Sequence, residues 1–199
     1  MSNMSHRSSG HVLGIVAAVL SVVTALFLLA NRQYIIDQLN VWQYQPSSAV
    51  MQLSERSGMS DSGEFYFYAS TPTIEGTQVF NDKCGREVEA TAILGCYTAQ
   101  KIYIYDVKDA KLDGIREVTA THEMLHAVYE RMGSGERTKI DALLEAEYEK
   151  LRNNKDLSER MAFYARTEPG QRDNELHSVI GTEIASISPG LETHYKKYF

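Results

Sequence analysis

The sequence predicts an α+β domain tethered behind one membrane-spanning helix, and three observations predict it. An uncharged apolar run lies near the start of the chain, short segments rich in aromatic and β-branched residues follow, and from Leu112 onward the patterning is helical. Strands gathered ahead of helices, instead of alternating with them, make a small sheet followed by a helical half. With 199 residues, 43% of them hydrophobic and 23% charged, the chain can bury one real core.

Residues 1–11 read as a short polar tail. Val12 to Ala30, VLGIVAAVLSVVTALFLLA, is a stretch of 19 residues without a charge. As a helix it would reach about 28 Å, close to the hydrocarbon thickness of a bilayer. The apolar part of a cleaved signal peptide is usually about 7–15 residues and ends in a small-x-small site. This run is longer and ends LFLLANRQ, so residues 12–30 are expected to be an uncleaved anchor.

Residues 31–60 read as a juxtamembrane helical segment. Ile35, Leu39 and Trp42 recur at helical spacing until Pro46 forbids continuation, and PSSAVMQLSERSG then suits a short helix with serine at its start and Gly58 at its end. Residues 61–199 form the expected globular domain. Within it EFYFYAS (64–70) and KIYIYDV (101–107) read as strands, and TAILGCYT (91–98) as a third. Helices are expected over 113–132, 136–152, 157–165 and 172–187, the last closed by Pro189, with a further one over 191–199.

A net charge of −6 and the lack of any Lys/Arg-rich run argue against a nucleic-acid partner. Arg7 and Arg32 flank the anchor evenly, so charge does not orient it. Cys84 and Cys96 stand twelve positions apart, a spacing that a bent loop or hairpin can close into a disulfide and that is not the short one of zinc knuckles. The other reading is two unrelated buried thiols. A disulfide places the C-terminal domain outside the cytoplasm.

The stretch His122-Glu123-Met124-Leu125-His126 carries the chemistry. Residues four apart share a helix face, so both imidazoles can point at one metal ion. Glu123 lies about 100° round from His122, where it can reach a metal-bound water without coordinating. Zinc lowers the pKa of such a water towards about 7, and a nearby carboxylate can take its proton during attack. Six His and 17 Glu in the chain make the pattern a chance event about one time in a hundred.

A catalytic zinc normally has three protein ligands and one open position. The glutamates of LLEAEYEK fit a solvated helix face. The segment DNELHSVIGTE is richer, because its acids and histidine share a helix with Val179, Ile180 and Ile184. His122-Glu123-x-x-His126 followed by a glutamate on a later helix resembles the gluzincin clan of zinc metallopeptidases, and NELHSVIGT resembles the thermolysin-type second motif Asn-Glu-x-x-Ser-Asp.

That resemblance implies a zincin-like fold, Zn2+ bound by His122, His126 and Glu175, and Glu123 as general base. Two short motifs carry it, and the chain departs from the pattern twice. Glu175 lies 49 residues after His126, closer to membrane-associated gluzincins with a long insertion. Val179 stands where the family has the aspartate that orients a zinc-bound histidine, leaving Ser178 or Glu183 to do so. His177 and Glu183 are the alternative third ligands. KIYIYDV is the candidate edge strand for an extended peptide, an ordinary core strand being the equal alternative. His194, Tyr195, Tyr164 or Arg166 could supply the oxyanion donor.

The expected protein is therefore a single-pass, membrane-anchored zinc metallopeptidase acting on a peptide or protein substrate. Its rival is a weak or inactive zincin-fold domain that binds partners or serves envelope assembly. A third reading is a structural helix with two histidines and no metal.

Overall fold

The computed structural model describes residues 5–85 and 93–199. Helix α1 (Ser5–Ala30) contains a 20-residue window, His11–Ala30, of mean hydropathy 2.8 with none of it buried. It is long and apolar enough to cross a membrane. The helix begins well inside the expected polar tail, of which residues 1–4 lie outside the described residues.

After a one-residue break at Asn31, α2 (Arg32–Gln43) continues to just before Pro46. In α3 (Ser48–Arg56) the Ser47 hydroxyl accepts the Val50 N–H, and Val50 and Leu53 enter the core. Neither helix stands apart from the rest of the fold. Asp37 of α2, 2% exposed, is deep in the protein although it is an acid.

The expected strand EFYFYAS is instead most of α4 (Asp61–Ala69). Phe65, Tyr66, Phe67 and Tyr68 are all aromatic, so the run carries no alternation by which a strand and a helix could be told apart. The signals that decide lie just ahead of it. The Ser60 hydroxyl accepts the Gly63 N–H, and Asp61 and Glu64 place negative charge in the first turn.

The sheet has three strands: β1 (Thr73–Glu75), then, beyond α5 (Thr77–Cys84), β2 (Gly95–Thr98) and β3 (Lys101–Tyr105). Their order is β1-β3-β2, with β1 parallel to β3 (Thr73 opposite Tyr103) and β2 antiparallel to it (Cys96 opposite Tyr103). The strand expected at an edge is thus the middle one, hydrogen-bonded on both sides, with Ile102 and Ile104 fully buried. The sequence of β1 is too short to announce itself. Of the expected strand 91–98, residues 95–98 are β2 and residues 91–92 lie outside the described residues. Cys84 and Cys96 form a disulfide that ties the end of α5 to β2.

The five expected helices follow: α6 (Ile115–Arg131), α7 (Ser134–Lys150), α8 (Lys155–Thr167), α9 (Arg172–Glu183) and α10 (Pro189–Tyr195). However, α9 stops four residues short of 187, and Pro189, expected to close it, instead opens α10, as its fixed φ suits a first helical position. α6 is central, packed against α9, the sheet, α3 and α4. Ala120, Met124, Leu125 and Ala127 are fully buried, while Val118 and Glu130, on the face that carries His122 and His126, are exposed. Its closest partner is α9, where Gly181 permits the approach: a Cβ there would lie 2.5 Å from Leu125 Cδ1.

Arg131, at the end of α6, makes a two-pronged ion pair with Asp37 of α2 (Nη2–Oδ1 2.8 Å, Nε–Oδ2 2.9 Å), both side chains being at most 5% exposed. Its Nη1 also donates to the Tyr97 hydroxyl of β2, at 2.9 Å. Removing one partner of a buried pair strands the other charge. Asp37→Ala should therefore cost about 3–5 kcal/mol of stability. A change below about 1 kcal/mol in chemical unfolding of the solubilised chain would show that the pair does not hold α2 to α6.

Candidate metal centre

α6 sets His122 and His126 one turn apart, with their Nε2 atoms 3.1 Å from one another. α9 brings Glu175 to them. Its Oε1 lies 3.6 Å from His126 Nε2 and its Oε2 3.9 Å from His122 Nε2. The ligand-type atoms of the three residues all fall within 4.8 Å of one another, a group that could hold a metal ion. Ligand atoms about 2.0–2.1 Å from a tetrahedral zinc stand about 3.4 Å apart. The His122–His126 separation is near that edge length, and the two Glu175 oxygens each approach one ring to within 4 Å, so a single oxygen serving both rings needs only a small turn of the carboxylate.

The polar atoms also fit a cation. Glu175 Oε2 is buried and has no hydrogen-bond partner. The His126 Nδ1–H donates to Asn174 Oδ1 at 2.9 Å, which leaves the Nε2 lone pair of that ring facing His122 and Glu175. Burial, opposed by the bond to Asn174, holds the His126 imidazole down to about 4. Burial, then the neighbouring His126 and Arg160, lowers His122 well below the usual histidine range. Both rings are neutral at pH 7, the form in which histidine binds metal.

Two carboxylates flank these rings. Burial, then the charge of Glu168, pushes Glu123 up to about 8, with the Tyr97 backbone N–H opposing. Burial, then Glu168 and Glu123, pushes Glu175 up to about 9. Acids forced to keep their protons and histidines unable to gain one describe a site short of positive charge.

A cleft of about 840 Å³ opens over the group, walled by β2, α6, α8 and the start of α9. Gly95 of β2 lies directly against Glu123: a Cβ there would be 2.6 Å from Glu123 Oε1 and 2.5 Å from Thr119 Cγ2. β2, and not β3, is the strand beside the histidines. It is the outermost strand on that side among the described residues.

The remaining expectations divide. His122, Glu123, His126 and Glu175 are brought together. His177 does not join them, since it is fully buried with its Nε2 2.9 Å from His194 Nε2. Glu183 is held by Arg160 at 3.0 Å. Neither Ser178 nor Glu183 orients a ligand histidine, because the Ser178 hydroxyl is buried without a partner and Asn174 makes the contact to His126. Val179 is fully buried in the core.

Of the expected oxyanion donors only Tyr164 lines the cleft, where burial and then Glu175 and Glu123 raise its pKa. Arg166 is exposed and does not line it. His194 and Tyr195 are buried in the core, the Tyr195 hydroxyl donating to the His177 carbonyl at 2.7 Å. Asn174, Gly95 and Glu168 were not singled out for these roles by the sequence. Asn174 was visible only as the neighbour of Glu175, and Gly95 and Glu168 carry no local mark.

Compared with protein families, curated proteins and solved structures, the chain matches none.

A carboxyl whose folded pKa lies above its unfolded value binds its proton more tightly when folded, so stability falls as pH rises between the two values. In chelator-treated protein Glu123 should thus remove about 1.4 kcal/mol per pH unit over the range from 4.5 to about 8. Glu123→Gln should flatten that slope in unfolding titrations. An unaltered slope would mean that Glu123 does not keep its proton in the folded protein.

Proposed function

We propose that the protein is a zinc-dependent peptide hydrolase of the gluzincin type, anchored by α1 with its domain outside the cytoplasm. The observation that carries this reading is the convergence of His122, His126 and Glu175 beside the buried carboxylate of Glu123, with Glu175 Oε2 otherwise unpartnered. The disulfide supports the location, since such bonds persist in oxidising compartments. The apolar window of α1, His11–Ala30, supports the anchor.

Zinc, when bound, supplies a Lewis acid that polarises the scissile carbonyl and lowers the pKa of a water towards about 7. His122 and His126 would hold it through Nε2, and Glu175 through a carboxylate oxygen. Asn174 keeps His126 in the ligating tautomer. A dication beside Glu123 and Glu175 reverses their protonated tendency, leaving Glu123 ionised. Glu123 then accepts the proton of the attacking water and returns it to the leaving amine nitrogen, serving as base and acid in turn.

The substrate lies extended along β2, whose outer edge faces the cleft, and the Tyr164 hydroxyl donates to the oxygen that gains charge. Gly95 keeps β2 near enough for one chain to reach both the strand and Glu123. Asn174 is the motif's own asparagine and orients His126, while Val179, where the family has its aspartate, is buried in the core and gives His122 no such partner.

The full chain in detergent should carry close to one equivalent of zinc and cleave members of a peptide library. Glu123→Gln should keep the zinc and lose about 10²–10⁴-fold in cleavage rate. A wild-type protein that holds no zinc after supplementation, measured by elemental analysis, would end this reading. Gly95→Ala should retain the metal and depress turnover at least tenfold, since its methyl group displaces Glu123; wild-type turnover would show that the contact between them has no bearing on the chemistry.

A further inference from the structure

The metal group occupies one part of the cleft; the walls around it are acidic. On α8, Asp156, Glu159, Arg160, Phe163 and Tyr164 recur at helical spacing, so a single face of that helix lines the cavity. Across the cavity Glu130 follows His126 by one turn of α6, and Glu168 lies between α8 and α9. Glu130, Asp156, Glu159 and Glu168 are exposed, and none has an ion-pair partner among the described residues.

Arg160 is the one Lys or Arg among the described lining residues, and Glu183 occupies it at 3.0 Å. A concave surface bearing one sign of charge focuses its field and raises the local concentration of counter-ions. The buried, unpartnered Glu175 Oε2 at the base of the same cleft marks it as a place built to receive something positive. A single metal ion answers Glu175 but not carboxylates spread along both walls.

We infer that the cleft selects cationic peptide segments, with Lys or Arg side chains on both sides of the bond that is cut. This rests on the peptide-hydrolase reading for the cutting, but not for the binding. Glu130 receives a basic side chain on the side of β2, and Asp156 and Glu159 receive one on the side of α8. Glu168, in the turn between α8 and α9 and lining the same cleft as Glu123 and Glu175, favours a basic residue next to the scissile bond.

The test uses the full chain carrying Glu123→Gln in neutral-lipid nanodiscs, with two fluorescein-labelled decapeptides identical except for lysine or glutamate flanks. Fluorescence anisotropy should show the lysine peptide binding at least about tenfold more tightly, with the preference shrinking as salt rises. Asp156→Asn with Glu159→Gln should cut the preference about threefold or more, whereas Glu55→Gln with Glu149→Gln, which remove the same charge away from the cleft, should leave it intact. Equal binding of the two peptides would overturn the inference, as would an equal loss in both pairs of variants, which would reduce the effect to net charge. Wild-type protein that binds the lysine peptide tightly yet cuts nothing would sink the hydrolase reading and leave this one standing. Cleavage without charge preference would do the reverse.

Discussion

Where α9 crosses α6, Gly181 lies under Leu125 with no room for a Cβ, and the two helices pack closely. That contact puts Glu175 within 4 Å of both histidine rings and Asn174 within hydrogen-bond reach of one of them. Leu125, Leu176, Val179 and Ile180 are all fully buried around it, so the crossing is held by apolar packing. The polar group is therefore assembled by the hydrophobic core beneath it. Such a core is stiff, and it supports buried carboxylates that would otherwise disfavour each other.

A second support reaches the site from the opposite direction. Asp37, on the helix that continues from the apolar α1, grips Arg131 at the end of α6, and Arg131 in turn donates to the Tyr97 hydroxyl on the strand lining the cleft. The disulfide fastens the same strand to α5 one residue earlier. β2 is thus pinned at the two residues that follow Gly95, just past its contact with Glu123. The helix that follows α1 and the cleft wall are consequently joined through buried side-chain contacts.

How much could be read beforehand depended on whether the deciding interaction was local. His122, Glu123 and His126 were legible because helical spacing alone puts two imidazoles on one face. Glu175 was legible only through a short motif, and its place beside them needed a fold in which residues 49 positions apart, on two separate helices, meet. The helix α4 differs from the strand its composition suggests because four successive aromatics erase periodicity, and the signals that favour a helix, Ser60 and Asp61, lie ahead of the run. β3 was correctly seen as a strand, but its place in the middle of the sheet depends on β1, three residues whose sequence says nothing of pairing. Ser178 and Glu183 were reasonable orienters by proximity in sequence; the orientation of α9 instead points Asn174 at His126.

By itself the sequence determined an uncharged run long enough for a bilayer, a cysteine pair at bridging distance, two of the three expected strands, the run of helices after them, and the two histidines with their adjacent carboxylate on one helix. These follow from periodicity, composition and spacing, which act within a few turns of chain. The expected order of strands ahead of helices did not hold, since α2, α3 and α4 precede β1 and α5 separates it from β2. Only the tertiary structure decided which strand borders the cleft, which amide holds His126, and which acids line its walls. Each of those depends on segments far apart in sequence brought together by burial of apolar surface, and burial is a property of the whole packed chain.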